Sequence, residues 1–169
     1  VVSVMTISVV ELAVRAIPDP EIPVITLDDL GMIRAVQVDE PGGEIVVRLT
    51  PTYSGCPAME AIAAEIESVA RRHGYTARVE TVLSPPWSTD WVSTRGRMAL
   101  RNFGIAPPAE VGHPRTTGPV DVGLAVRQVA CPRCGSLDTE ELAAFGSTAC
   151  KALRRCRDCR EPFDEFKPL

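Results

Sequence analysis

Between residues 57 and 73 apolar side chains return at three- and four-residue steps: Met59, Ile62, Ala63, Ile66, Val69 and Ala70. On a helix they form one stripe, leaving Glu60, Glu65 and Glu67 to water or to the positive end of the helix. Pro57 suits the first helical position, where a missing N–H costs nothing, and Gly74 is a good terminator. Elsewhere the period drops to two. Ile45, Val47 and Leu49 alternate on the second arm of a hairpin predicted over 32–50. Val36 and Val38 share a face of its first arm, and Pro41-Gly42-Gly43 supplies the turn. "TARVETVL" (76–83) predicts a further strand, closed by Pro85-Pro86. Short helices are predicted over 7–17, ending at Pro18, and from about Ser93 to Phe103. The pattern implies an α+β fold, a small mixed sheet with two or three helices on one face.

Two stretches break the periodicity. "DPEIPVITLDDLG" (19–31) is a loop with four acidic residues before Gly31. "GIAPPAEVGHPRTTGP" (104–119) is rich in Pro and Gly and has no apolar period, which reads as an interdomain linker. The expected organisation is an α/β domain over 1–105, a linker over 106–122 and a small C-terminal unit over 123–169. The apolar start, "VVSVMTISVV", lacks a basic flank and a small-residue cleavage site and is too short to span a membrane. It reads as part of a first helix in a cytoplasmic protein with no membrane association.

Charge then narrows the function classes. The 169 residues carry 18 Lys+Arg against 22 Asp+Glu. The acidity belongs to residues 1–124, with 10 basic and 15 acidic side chains, while 125–169 carry 8 and 7. This balance argues against a nucleic-acid binder.

Five of the six cysteines lie in the last 40 residues. "CPRCGS" (131–136) and "CRDC" (156–159) are two C-x2-C pairs separated by 21 residues. Each pair can set two thiolates on a tight knuckle, and Gly135 frees the backbone where the first must turn. Four sulfurs at about 2.3 Å suit tetrahedral Zn²⁺ and leave no open position. A unit this small buries too little apolar surface to fold unaided, and structural zinc supplies apparent folding energy of about 10–16 kcal/mol. Cys131, Cys134, Cys156 and Cys159 are thus the candidate ligands of a zinc β-ribbon. A rubredoxin-like iron or an Fe–S cluster would use the same thiolates. Cys150 lies six residues before Cys156, roughly 20 Å along a strand, too far to share the metal. It reads as a small, half-buried hydrophobe, with a docking-face or redox thiol as the alternative. Arg154, Arg155, Arg157 and Arg160 crowd the second knuckle and are expected to offset the negative charge of a four-thiolate site.

Cys56 stands where helix 57–73 begins, and unpaired N–H groups with the helix dipole favour a thiolate there. The alternative is a buried structural cysteine. No histidine is placed to act as its base: His73 is at the far end of the helix and His113 is in the linker. A Cys–His hydrolase is poorly supported.

"DPEIPVITLDDLGMIR" followed by "TPTYSGCPAME" resembles the small α/β family of iron–sulfur assembly proteins that includes SufT. There the DPE loop and the cysteine segment form the functional surface, and Asp19, Glu21, Thr50 and Cys56 are the matching positions. "SPPWSTDWVSTRGRMALRNFGIAPP", "CPRCGS" and "FGSTACKALRRCRDCREPFDEFK" resemble the PaaD (PaaJ) family of phenylacetyl-CoA epoxidase subunits, over nearly the whole chain. This resemblance implies an accessory role beside a di-iron catalytic subunit and a separate flavin and 2Fe–2S reductase. The sequence agrees by omission. The one E-x-x-H spacing, Glu110 to His113, lies in the linker, and no dinucleotide glycine fingerprint is present.

The leading expectation is therefore a maturation factor of aerobic phenylacetate degradation. It would supply iron or an Fe–S cluster through Cys56, with Glu21 or Asp19 nearby, and dock its client by the ribbon. One thiolate is a poor stable cluster site, so lasting occupancy would need a homodimer or ligands from the epoxidase subunits or another client. The alternative is a purely structural interaction subunit, with Trp87 and Trp91 as anchors unless they pack in the core.

Overall fold

A computed structural model describes residues 8–53, 55–109 and 128–168. The start of the chain before Ser8, most of the predicted linker and the Glu110–His113 pair lie outside the described residues. The chain divides into two compact units, Val1–Gly96 and Arg97–Leu169.

In the first unit the helix predicted over 7–17 is α1, Val9–Arg15. The Ser8 hydroxyl caps it, accepting from the Glu11 N–H at 3.2 Å. The hairpin is β1 (Ile33–Asp39) and β2 (Glu44–Leu49), antiparallel, with a register shift between Ile33 and Ala35. The long helix, α2, runs Ala58–Arg72, and β3 is Thr76–Thr81. β2 and β3 pair in parallel, so α2 is a crossover, and the sheet order is β1-β2-β3. The apolar stripe explains the packing. Ile45, Val47 and Leu49 of β2 are fully buried, as are Ile62, Ile66 and Ala70 of α2. Burying each large aliphatic side chain contributes about 1.5–3 kcal/mol, so this seam holds the unit together.

The loop 19–31 has its own tertiary order. Pro18 bridges to Thr26, and the Leu27 N–H donates to the Ile17 carbonyl at 2.9 Å. Ile22, Ile25, Leu27 and Leu30 are buried beneath it. Gly31 has φ +72°, and a Cβ there would lie 2.5 Å from the Cβ of Trp91. Only glycine satisfies both the left-handed backbone and this close approach. Trp87 is the core tryptophan, its indole N–H donating to the Leu30 carbonyl at 2.9 Å. Trp91 is half-buried under the Arg34 guanidinium, 3.9 Å from its ring centre. Neither is a bare interface anchor. Helix α3, Thr94–Phe103, starts at Ser93, whose hydroxyl accepts from the Gly96 N–H.

Among the described residues of the second unit four strands form a sheet in the order β4-β7-β6-β5: β4 (Ile105–Ala106), β5 (Thr139–Ala143), β6 (Lys151–Cys156) and β7 (Pro162–Phe166). β5, β6 and β7 are antiparallel neighbours, and β4 pairs with β7 in parallel. The segment from Gly104 reads as linker in sequence, yet Ile105 and Ala106 are a buried strand of this sheet. Two apolar residues are too few to show a period. Ala106, Val129, Cys131, Cys156 and Phe163 form the small core. Among the described residues no helix is long and apolar enough to cross a membrane.

Candidate functional site

Each cysteine pair of the second unit sits on a tight turn. In the first, the Gly135 N–H donates to the Cys131 carbonyl and the Cys131 N–H to the Ser136 carbonyl, at 2.9 and 2.8 Å. Gly135 takes φ +78° to close it. In the second, the Cys156 N–H donates to the Glu161 carbonyl at 3.0 Å, and Arg160 adopts φ 65°. The knuckles converge. Sγ of Cys131 is 3.7 Å from that of Cys159, and Sγ of Cys134 is 3.5 Å from that of Cys156. All four sulfurs lie within 4.8 Å of one another. A tetrahedron of sulfurs at about 2.3 Å from an ion has edges of about 3.8 Å, so the donor set fits one tetrahedral metal. None of the six cysteines is in a disulfide.

The four donors are not equivalent. Cys131 and Cys156 are buried, while Cys134 and Cys159 are exposed. Backbone N–H groups of Cys159 and Asp158 hold the Cys156 thiol down to about 7, with the neighbouring Cys134 and Cys159 thiols adding to the effect. The Ser136 N–H favours the Cys134 thiolate, but the Cys156 thiol, burial and the Cys131 thiol leave that group raised. Despite a backbone hydrogen bond involving Glu161, burial and the Cys156, Cys134 and Cys131 sulfurs push Cys159 up to about 12. The Cys156 thiol thus ionises readily while those of Cys134 and Cys159 resist, as expected where thiols are crowded. A cation among them supplies the missing charge. Cys150 is buried outside this cluster, with its sulfur 3.1 Å from the Thr148 hydroxyl.

The arginines differ from expectation. Arg154 is buried and donates to the fully buried Glu165 at 3.0 Å. Arg155 and Arg157 both bond Glu140, and Arg157 also lies 3.6 Å from Asp138. These guanidiniums, first Arg155 and then Arg157, hold the Glu140 carboxyl below its ordinary range. Three of the four arginines are thus matched by carboxylates of β5 and β7 or of the approach to β5, not set aside for the thiolates. Strand pairing brings these partners together across the ladder, which spacing alone does not reveal. Sequence reasoning also missed Ser136 and Asp158, whose side chains hydrogen-bond to each other across the two knuckles. Their one available signal is position: each lies close in sequence to one of the cysteine pairs.

In the first unit, Cys56 is half-buried in a turn, its N–H donating to the Tyr53 carbonyl at 3.1 Å. α2 begins two residues later, and Pro57 gives it no side-chain cap. The turn therefore sets Cys56 two residues before a helix whose first N–H groups lack a side-chain acceptor from the cap. Asp19 is buried, and its Oδ1 accepts from the N–H groups of Glu21 and Ile22 at 2.9 and 2.8 Å. That Asx turn leaves Glu21 exposed. Thr50 is buried just past β2, and its hydroxyl has no hydrogen-bond partner among the described residues. Its N–H donates to the Met32 carbonyl at 2.8 Å, and the Met32 N–H donates to the Leu27 carbonyl at 3.0 Å. So the acidic loop and the Thr50–Cys56 segment are sewn together at Met32. A cavity of about 290 Å³ separates Pro18 and Pro20 of the loop from Ala61, Ile62 and Glu65 of α2. A second, of about 340 Å³, is lined by Thr50, Thr52, Tyr53, Leu83, Pro86 and Trp87 among others.

Asp29 anchors the loop from its other end. It accepts from the Ser93 hydroxyl at 2.5 Å, from Arg95 Nε at 2.9 Å and from the Thr26 hydroxyl at 3.1 Å. Burial pushes its carboxyl up, but these hydrogen bonds outweigh that and leave it below the ordinary range.

Comparison with known proteins adds two families. Residues 7–83 match the family model described as iron-sulfur cluster assembly protein, and residues 115–167 match the PaaD zinc beta ribbon domain. The chain is 47% identical over 152 residues to a "Putative 1,2-phenylacetyl-CoA epoxidase" subunit of Escherichia coli K12, covering 89% of this chain and 86% of that protein. It is 33% identical over 84 residues to the Fe-S protein maturation auxiliary factor SufT of Staphylococcus aureus USA300, covering 48% of this chain and 93% of SufT. A crystal structure of a DUF59 domain from Bacillus anthracis is 28% identical, with TM-score 0.48, over 54% of this chain and 87% of that one.

Proposed function

This chain belongs to the PaaD family of phenylacetyl-CoA epoxidase subunits, and from that membership we propose that it is an accessory subunit which matures the epoxidase, supplying iron or an Fe–S cluster, and does not itself epoxidise substrate. The observation that carries this reading is the iron–sulfur assembly match over residues 7–83, in a chain whose relative is an epoxidase subunit. Iron is the cargo. The Cys56 thiolate is its first donor, favoured by the helix end it precedes. Glu21, held outward by the Asp19 turn, is the second, and the Thr50 hydroxyl lies buried at the base of the same segment. One thiolate and one carboxylate hold iron weakly, which suits transfer. The client, or a second copy of this chain, completes the coordination.

The ribbon has a different task in this reading. Cys131, Cys134, Cys156 and Cys159 hold one structural zinc ion, which folds the tail and makes it a docking module for the epoxidase. A reducing cytoplasm keeps all six thiols available.

The test is co-production of the epoxidase with Cys56→Ser in place of the parent chain. The expected result is an assembled complex depleted of iron and of activity. A complex with full iron and full activity would leave only the structural-subunit reading. Anaerobic metal analysis of the isolated chain separates the two sites: about one zinc per chain, lost in Cys131→Ser and kept in Cys56→Ser.

A further inference from the structure

The four-thiol cluster has a closed side and an open side. Cys131 and Cys156 belong to the buried core, whereas Cys134 and Cys159 face solvent. Any chelator or competing thiol must approach from the exposed side. The Ser136–Asp158 pair joins the two knuckles. The Ser136 hydroxyl donates to the Asp158 carboxylate and itself accepts from the Asp138 N–H at 3.1 Å. The Arg157 N–H donates to the Asp138 carbonyl at 2.9 Å, adding a backbone tie between the same two turns.

Both residues also act on the sulfurs through their backbones. The Ser136 N–H bonds Cys134, and the Asp158 N–H bonds Cys156. Each residue therefore orients one ligand with its main chain and grips the opposite knuckle with its side chain. Groups that orient metal ligands commonly change metal affinity by about 10–100-fold when removed. This pair is solvent-exposed, so water competes for the hydrogen bond and the effect belongs at or below the low end of that range.

We propose that Ser136 and Asp158 form a latch that governs metal exchange at the ribbon, acting as positioning residues and not as ligands. Opening the latch lets the knuckle bearing Cys134 part from the knuckle bearing Cys159, so a sulfur is released to an incoming chelator more often. No redox step is involved: the thiolates leave the ion as an outside ligand enters. The proposal rests on the reading of the four cysteines as zinc ligands, which the zinc content of the parent chain checks independently.

The experiment uses the full zinc-loaded chain and measures zinc release to excess chromophoric chelator. Ser136→Ala and Asp158→Ala should each speed release about three- to tenfold. The double variant should be no faster than the faster single, because both remove the same bond. Ser136→Thr, which keeps the hydroxyl, should restore the parent rate. Cobalt-loaded samples should retain four-thiolate absorption in every variant, showing that the ligand set is intact. A variant that loses zinc during purification is scored by cobalt affinity in competition with the parent, with a weakening of at least threefold expected. Release rates or affinities within twofold of the parent, multiplicative effects in the double variant, or no rescue by threonine would overturn the latch.

Discussion

Glu165→Leu gives the sharpest stability prediction for the second unit. Glu165 is fully buried on β7, and Arg154 on β6 is 7% exposed. Their 3.0 Å contact is the main neutralisation of the guanidinium. After the substitution Arg154 keeps the Thr139 hydroxyl at 3.3 Å and a weak pairing with the half-exposed Glu141 at 3.8 Å. Arg154 Nε already lacks a hydrogen-bond partner among the described residues. An uncompensated buried charge costs about 3–5 kcal/mol. A unit the size of Arg97–Leu169 has a total stability of only about 4–11 kcal/mol at typical per-residue values, apart from any metal. The single change should therefore remove a large share of it. The companion variant Arg154→Met/Glu165→Leu avoids burying either ion and should lie within about 1–2 kcal/mol of the parent. Urea unfolding of the cobalt-loaded chain, followed at the thiolate absorption, reports this unit alone. A Glu165→Leu cost below about 1 kcal/mol, or a double variant as unstable as the single, would refute the claim that desolvated charge sets the energy here.

Two predictions concern the loop of the first unit. Asp29 titrates below its ordinary range in the folded chain. Its contribution is present above the unfolded value of about 3.9 and is lost as pH falls through the lower folded value. Asp29→Asn should cost about 1–2 kcal/mol at neutral pH, where charged hydrogen bonds to Ser93 and Arg95 are lost, and should flatten the acid limb of stability. Tryptophan fluorescence in urea between pH 2 and 7 measures both, and an unchanged acid limb would refute the assignment. Gly31→Ala forces a left-handed alanine and a Cβ 2.5 Å from that of Trp91. The same fluorescence assay should show a loss of about 2–5 kcal/mol, and a neutral result would show that the loop can shift freely.

Much of this architecture is local and therefore legible. The stripe Ile62–Ile66–Ala70 dictates both that α2 is a helix and which face it buries. The alternation Ile45–Val47–Leu49 does the same for β2. The C-x2-C pairs carry their own turn chemistry, so their convergence on one point is readable from spacing. The two-residue strand Ile105–Ala106 is not readable, since it owes its existence to pairing with β7, nearly 60 residues on. Nor are the partners of Arg154, Arg155 and Arg157, which the register of β5, β6 and β7 selects. Periodicity records which face of an element is apolar and is silent about which polar side chain lies across the ladder.

The amino-acid order alone thus determined the kinds of element and the two tight cysteine turns, because each rests on contacts within a turn or two of chain. Only the tertiary structure decided the unequal exposure of the four sulfurs, the Ser136–Asp158 bond between the knuckles and the tie of the acidic loop to Thr50 through Met32. These depend on segments distant in sequence being pressed together by burial, and the geometry of that contact is set by the packed whole.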